Sequence, residues 1–264
     1  MSLRNTFLIV WKATVISLIC SMGYSDEVSI LKCEILEEVS RAKKGYTQGF
    51  YIEDGVLYES TGGYGSSLIR SMDLKTQQVK VSKPLPNHLF AEGLAPYGED
   101  AMIQLTWKAG LGIIYDRESI NVRKVFKYST EGWGIATKGT KVVMSDGSDS
   151  LTFLDPKTLT PVRQLKVTLE GQPVERLNEL EWVEDTIWAN VWMTDMIVGI
   201  SPETGKVLAK VDCANLLEGK RPRDRNAVLN GIAYDSEEKV FWLTGKRWPT
   251  MYKVRFQSID SKEE

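Results

Sequence analysis

The sequence predicts an all-β fold, a five-bladed β-propeller whose ring is closed by an N-terminal strand joining the last blade. Three observations carry this reading. One short pattern recurs five times, beginning at Gln48, Glu92, Trp133, Asn178 and Asn230, with steps of 44, 41, 45 and 52 residues. A period of roughly 40 to 50 residues is the length of one four-stranded blade. Each recurrence is followed, past a turn, by a second short run rich in β-branched and aromatic residues. No segment beyond the N-terminal stretch sustains the 3.6-residue apolar period of an amphipathic helix.

In chain order, residues 1–23 read as an export signal. Arg4 comes first, Ala13-Thr14-Val15-Ile16-Ser17-Leu18-Ile19-Cys20 forms an apolar core, and Ser21-Met22-Gly23 offers small residues for cleavage. Lys12 interrupts any uninterrupted apolar span of about 20 residues. An uncleaved anchor and a lipoprotein through Cys20 are the competing readings. Residues 24–264 then form a single propeller domain, exported to the periplasm or secreted.

Ile30 to Leu36 stands ahead of the first repeat and supplies the outer strand that the last repeat lacks. The second runs of the five units are Leu57-Tyr58-Glu59-Ser60, Ile103-Gln104-Leu105-Thr106-Trp107, Val142-Val143-Met144-Ser145-Asp146, Ile187-Trp188-Ala189-Asn190 and Phe241-Trp242-Leu243-Thr244-Gly245. Asp155-Pro156-Lys157-Thr158 and Ser201-Pro202-Glu203-Thr204-Gly205 are turns between outer strands. The last step is longest because residues 214–227 are inserted, a charged stretch expected to form a surface loop or short helix over one end of the channel. Five blades packed radially bury both faces of each sheet and leave only short edges.

Composition removes several function classes. The 264 residues carry a net charge of -2 with no basic stripe, so nucleic acid is not a partner. His88 is the only histidine. A zinc site built on two or three imidazoles is therefore impossible within one chain, and any acid or base working near neutral pH must be a tuned carboxylate, lysine or tyrosine. Cys33 and Cys213 remain after cleavage of the signal. One disulfide or two buried thiols are equally compatible with their presence. A closed ring needs no second copy, so a monomer is expected.

The first strand of each propeller blade lines the central channel. Its end places Gln48, Glu92, Trp133, Asn178 and Asn230 at one mouth, with Glu59, Trp107, Glu179, Asn190, Trp192, Lys246 and Trp248 nearby. A structural repeat would reuse one residue type five times, whereas here it changes at each blade. Indole walls with a few converging polar groups suit a small-molecule site.

Several strings then stand in order: Tyr46-Thr47-Gln48-Gly49-Phe50, Tyr58-Glu59-Ser60-Thr61-Gly62-Gly63-Tyr64-Gly65, Ala91-Glu92-Gly93-Leu94, Glu131-Gly132-Trp133-Gly134 and Ser145-Asp146-Gly147-Ser148. Arg176-Leu177-Asn178-Glu179-Leu180-Glu181, Trp188-Ala189-Asn190-Val191-Trp192, Val228-Leu229-Asn230-Gly231-Ile232-Ala233 and Thr244-Gly245-Lys246-Arg247-Trp248-Pro249 complete the series. Together they resemble the plant-type and bacterial glutaminyl cyclase family over about residues 28 to 257. Tyr46, Phe50 and Gly63 depart from the family pattern at positions that shape packing or the mouth.

The resemblance implies a five-bladed propeller that converts the N-terminal glutamine of a peptide or protein to pyroglutamate and ammonia. It implies Glu59 as the leading proton shuttle, raised toward neutrality among Trp107, Trp133 and Trp192, with Glu92 assisting and Lys246 at the oxyanion. Gln48, Asn178, Asn190 and Asn230 would orient the substrate, and the three indoles would exclude water. No cofactor is expected for catalysis and no metal ligand is assigned, with room left for a structural divalent cation such as calcium. The partner is the glutaminyl substrate, with no membrane contact beyond the signal. Two other readings remain: a metal-dependent, lactonase-like propeller hydrolase, and a propeller that binds peptides without reaction.

Overall fold

The structure, a computed structural model, describes residues 27–218 and 223–259; the export signal read from the sequence lies outside the described residues. The chain opens with β1 (Ser29–Ser40). Strands β2 (Thr47–Glu53), β3 (Val56–Thr61), β4 (Leu68–Asp73) and β5 (Val79–Pro84) form the first four-stranded antiparallel set. Strands β6 (Ala91–Pro96), β7 (Ala101–Thr106), β8 (Leu111–Asp116) and β9 (Val122–Lys127) form the second. The third is β10 (Ile135–Lys138), β11 (Lys141–Ser145), β12 (Ser150–Leu154) and β13 (Pro161–Lys166). A small ribbon, β14 (Thr168–Leu169) with β15 (Gln172–Pro173), precedes β16 (Leu177–Val183), β17 (Thr186–Val191), β18 (Met196–Ile200) and β19 (Val207–Asp212). Strands β20 (Leu229–Asp235), β21 (Val240–Gly245) and β22 (Thr250–Ser258) end the chain.

Turn chemistry sets these meanders. Asp54 and Gly55 have φ of 50° and 69°, the two positive values that a two-residue type I′ hairpin requires, and they join β2 to β3. Asp73, Asp116 and Asp155 each accept the backbone N–H three residues on, closing the turn from the third to the fourth strand of the first three sets. Ser201 does the same work in the fourth set by accepting from the Thr204 N–H.

The fourth strand beside β20, β21 and β22 is β1. It runs antiparallel to β22 from Leu31 opposite Ser258 to Ser40 opposite Thr250. Its start, Ser29 to Lys32, also pairs in parallel with Ala209 to Asp212 of β19. The fourth and last sets thereby merge into one eight-stranded sheet. The inner strands touch in a closed cycle: β2 beside β6, then β10, β16, β20 and β2 again.

Successive residues of one strand face opposite neighbouring sets, so both faces of each sheet are buried. Phe50 packs with Met72, Trp242 and Met251, whereas Tyr51 packs with Ile69, Leu94 and Met102. Met102 and Ile103 likewise enter the two different cores on either side of their sheet. This explains the near-continuous apolar runs in the second strands, which alternation with a polar face would not give.

The small residue of the repeat has a steric cause. A Cβ at Gly49 would lie 2.2 Å from the Leu94 nitrogen, one at Gly93 would lie 2.7 Å from the Ile135 nitrogen, and one at Gly134 would lie 2.0 Å from the Asn178 carbonyl oxygen. Neighbouring inner strands approach too closely there for any side chain. The insertion spans residues 214–227. Its described part contains a single 3-10 turn, Ala214–Leu217, whose Leu216 and Leu217 are buried with Cys33 and Val211. Asn215 donates to the Cys33 carbonyl at 2.8 Å. The turn packs on β1, and further along the insertion Asp224 pairs with Arg247. Cys33 and Cys213 are free buried thiols with their sulfurs 3.0 Å apart.

Candidate active site

Four inner strands are irregular at the same place. The register of β2 shifts between Thr47 and Gly49, of β6 between Ala91 and Leu94, of β16 between Leu177 and Leu180, and of β20 between Leu229 and Ile232. A bulge re-aims the side chain it contains. The residues in these bulges include Gln48, Glu92, Asn178 and Asn230, the polar positions of the sequence repeat.

Gln48, Glu92 and Asn178 reach one cavity of about 580 Å³, together with Trp107, Trp133, Trp192 and Lys246. Seven of the ten residues expected at the site are thus brought together. Glu131 fixes two of the indoles: its Oε2 accepts from Trp107 Nε1 at 2.7 Å and from Trp133 Nε1 at 2.9 Å. Trp192 meets Trp133 edge to face at 5.5 Å between centroids. Lys246 Nζ sits 5.2 Å from the Tyr46 ring centre and 6.0 Å from that of Trp192, within reach of a cation–π attraction.

The electrostatics follow from the burial of charge. Glu92 is 5% exposed. Burial pushes its carboxyl well above the usual carboxylate range, and Lys246 only partly reverses this. Lys246 is lowered to about 8, again by burial first, with Glu92 opposing. A carboxyl raised by burial and an ammonium lowered by burial therefore share one cavity. The backbone of Glu92 is held from behind. Ser60 donates to its carbonyl, Gln104 donates to Ser60 at 2.8 Å, and Tyr115 donates to Gln104 at 2.8 Å.

Gln48 Oε1 and Asn178 Oδ1 are buried without a hydrogen-bond partner, as are Asn230 Oδ1 and Glu179 Oε1 on the same ring of inner strands. Unpaired buried oxygens at a cavity call for a ligand with N–H donors or for ordered water. Oxygen donors of this kind also suit a hard cation. Burial pushes the Glu179 carboxyl well above its usual range, and its Oε2 accepts from the Ile232 N–H at 2.8 Å.

Three expectations are corrected. Glu59 does not stand among the tryptophans. It lies under the first set, bonded through Oε1 to Arg41 at 2.5 Å and Thr47 at 2.6 Å, and through Oε2 to Arg70 at 2.5 Å. Burial alone would raise its carboxyl, but the two guanidiniums and the hydroxyl outweigh it and hold it below its usual range. An ionised, fully paired carboxylate is a poor proton shuttle. Asn190 is outside the cavity wall, and its Oδ1 accepts from the Gly231 N–H at 3.0 Å. Asn230 is also outside, donating to the Thr47 carbonyl at 2.9 Å. Asn190 thus ties β17 to the inner strand β20, and Asn230 ties the inner strands β20 and β2.

Sequence reasoning missed Tyr46, Phe90 and Glu131, of which Tyr46 and Phe90 line the cavity. A signal existed. Each stands two residues before its repeat position, in Tyr46-Thr47-Gln48, Phe90-Ala91-Glu92 and Glu131-Gly132-Trp133.

Comparison with known proteins bears on this arrangement. The family model described as glutamine cyclotransferase matches residues 9–256. A glutaminyl-peptide cyclotransferase of Arabidopsis thaliana is 37% identical over 251 residues, spanning 92% of this chain and 77% of that protein. The crystal structure of Myxococcus xanthus glutaminyl cyclase is similar with a TM-score of 0.83 and 35% identity, over 89% of this chain and 100% of that one.

Proposed function

The chain belongs to the glutamine cyclotransferase family, and from that membership and the cavity we infer that it is a glutaminyl-peptide cyclotransferase, closing N-terminal glutamine to pyroglutamate with release of ammonia. The hydrolase and binding-module readings fall with this membership. The observation that carries the mechanism is the buried Glu92, its carboxyl pushed above the usual range, beside Lys246 in an indole-walled cavity.

The substrate's neutral α-amine attacks the Cδ of its own side-chain amide. Reaction is intramolecular, so the site chiefly has to fold the glutamine into an attacking conformation. Gln48 and Asn178 present unpaired oxygens to the amine and amide N–H groups. Glu92 in its ionised form takes a proton from the attacking nitrogen and returns it to the departing amide nitrogen. The Cδ–N bond breaks, ammonia leaves and the lactam remains, with the carboxylate restored. A carboxyl raised above its usual range is better suited to serve as base and then acid than an unshifted one. The Lys246 ammonium faces the developing oxyanion. Trp107, Trp133 and Trp192 exclude water, whose attack would give glutamate instead. These steps use the chain's own groups, and indifference of the rate to a chelator tests that.

The finer organisation is also our reading. The five strand sets are the blades of a propeller, β1 closes the ring, and residues 24–264 are one domain acting as a monomer. The apolar N-terminal segment supports export. Among the described residues no helix is long and apolar enough to cross a membrane.

The decisive experiment measures ammonia release from a short peptide with N-terminal glutamine. Glu92→Gln should lower kcat by about 10²- to 10⁴-fold while keeping the fold. Glu59→Gln should keep its rate per folded molecule and lose heat stability instead. No release from folded wild type would remove the cyclase reading. Loss of chemistry in Glu59→Gln alone, with stability intact, would return the shuttle to Glu59.

A further inference from the structure

The cavity is larger than the reaction requires, and its excess lies on one side. A volume of about 580 Å³ falls among those that hold whole drug-sized ligands, about 300–1,000 Å³, and exceeds what one glutamine residue occupies. Outside the first set, the wall is built only from inner and second strands and the residues that flank them. Trp107 follows β7, Trp192 follows β17, and Lys246 follows β21. Over the first set it continues outward to the third strand, through Leu68 and Arg70 of β4. Two strand spacings are about 9–10 Å, and an extended peptide rises about 3.3 Å per residue. The extension is therefore long enough for the residues that directly follow the reacting glutamine.

The floor of this extension suits a peptide. Gly62 and Gly63 expose backbone there. A Cβ at Gly62 would strike the Phe90 ring at 2.2 Å, and Gly63 has φ of 140°, so neither position accepts a side chain without disturbance. The charge along it is one-sided. Glu92 is the only carboxyl in the described wall, at the reacting end with Lys246, whereas Arg70 and Lys44 stand at the outer end. Arg247, also in the wall, is paired with Asp224 and donates its backbone N–H to the Gly45 carbonyl. Arg70 shares Glu59 with Arg41, so the group keeps a net positive charge, and it donates to the Lys43 carbonyl at 2.8 Å. That bond lays the segment bearing Lys44 over β4. Lys44 is exposed, and among the described residues no carboxylate is paired with it.

We propose that the cavity's extension over the first set is a subsite for the second and third residues of the substrate, and that Lys44 makes it favour acidic side chains there. The proposal rests on the cyclotransferase reading, since that reading pins the glutamine at Glu92. An exposed ion pair contributes little, so the expected preference is about two- to fivefold in kcat/KM, shrinking as salt screens it.

The test uses glutaminyl tripeptide amides carrying Glu, Ala or Lys at position two or three, with glutamine amide as a substrate that lacks both. At low ionic strength wild type should rank Glu above Ala above Lys. Lys44→Ala should collapse the ranking and Lys44→Glu should invert it, while both turn over glutamine amide at the wild-type rate. An unchanged ranking in both variants overturns the proposal and leaves the cyclotransferase reading standing. A wild type that turns over none of these substrates, glutamine amide included, overturns both.

Discussion

Glu59 and Glu92 are both buried, yet the protein shifts their carboxyls in opposite directions. The difference lies in what faces each carboxyl. Two guanidiniums and a hydroxyl surround Glu59, so its charge is compensated. Removing one member of such a buried network costs about 3–5 kcal/mol, and at roughly 2–4 °C per kcal/mol that loss is the signature expected of Glu59→Gln. Its depressed pKa gives stability that is present above the unfolded carboxylate range and lost as pH falls through the folded value. Glu92 faces a single ammonium that is itself depressed. Chemistry at this pair needs Glu92 able to accept a proton and Lys246 still charged. The kcat profile should therefore rise as pH climbs through the raised pKa of Glu92 and fall above about 8, where Lys246 deprotonates. In Lys246→Arg the charge persists at every working pH, so the descending limb should vanish even if the rate is lower. A descending limb that stays in place would detach it from Lys246. Gln48, Glu92 and Trp133 were legible in the sequence because they occupy one register of a repeat, and Trp107 and Trp192 because each directly follows a second strand. Glu59 was misread because no local pattern shows that Arg41 and Arg70, from different strands and loops, converge on it.

At the scale of the element, the polar–glycine–apolar triplet of the inner strands combines two functions. In the bulges at Gln48, Glu92 and Asn178 the polar residue reaches the cavity, and Gly49, Gly93 and Gly134 let the next inner strand come close enough to fix the spacing. Unit boundaries, turns and the position of the inner strands could be read from these triplets and from Asp-Gly and Asp-x-x-Thr turns, because both are local. What each asparagine bonds to could not, because Asn178, Asn190 and Asn230 share a residue type and differ only in the strand opposite. The coupling has a test. Gly134→Ala places a Cβ against the Asn178 carbonyl oxygen, 2.0 Å away before any shift, and backbone must give way. Overpacking of this kind costs about 1–3 kcal/mol. Because Asn178 lines the cavity, the variant should lose activity at temperatures where it remains folded, read by ammonia release and by circular dichroism on one sample. Gly139→Ala, whose Cβ would meet nothing within 4 Å and whose φ of 57° gives only local strain, serves as the control and should affect stability alone. Equal activity of the two folded variants would mean that inner-strand spacing does not set the mouth.

For the whole molecule, the weakest feature of a closed ring is the seam, since only there must distant ends of the chain find each other. Strand β1 meets β22 and β19 across nearly the whole sequence, a pairing whose loop-closure entropy must be overcome before it contributes. The two cysteines sit at this seam. Cys33 on β1 and Cys213 just after β19 lie 180 positions apart, with sulfurs separated by 3.0 Å. The sequence could show that two cysteines remain in the described chain but not that the seam brings them together. Burial holds the Cys213 thiol well above its ordinary value, and the thiolate is the reactive form. The folded protein should therefore resist oxidation, whereas a chain refolding in a glutathione redox buffer should join the pair, each bond reducing one oxidised glutathione to two thiols. The product should lose the mass of two hydrogens between the peptides bearing Cys33 and Cys213. Its midpoint of thermal unfolding should rise, since cross-links of this kind contribute typically about 2–4 kcal/mol. Cys33→Ser should show neither change. Refolding that leaves both thiols alkylatable would mean that their approach in the folded seam does not extend to bonding geometry, and that strand pairing alone holds the ring shut.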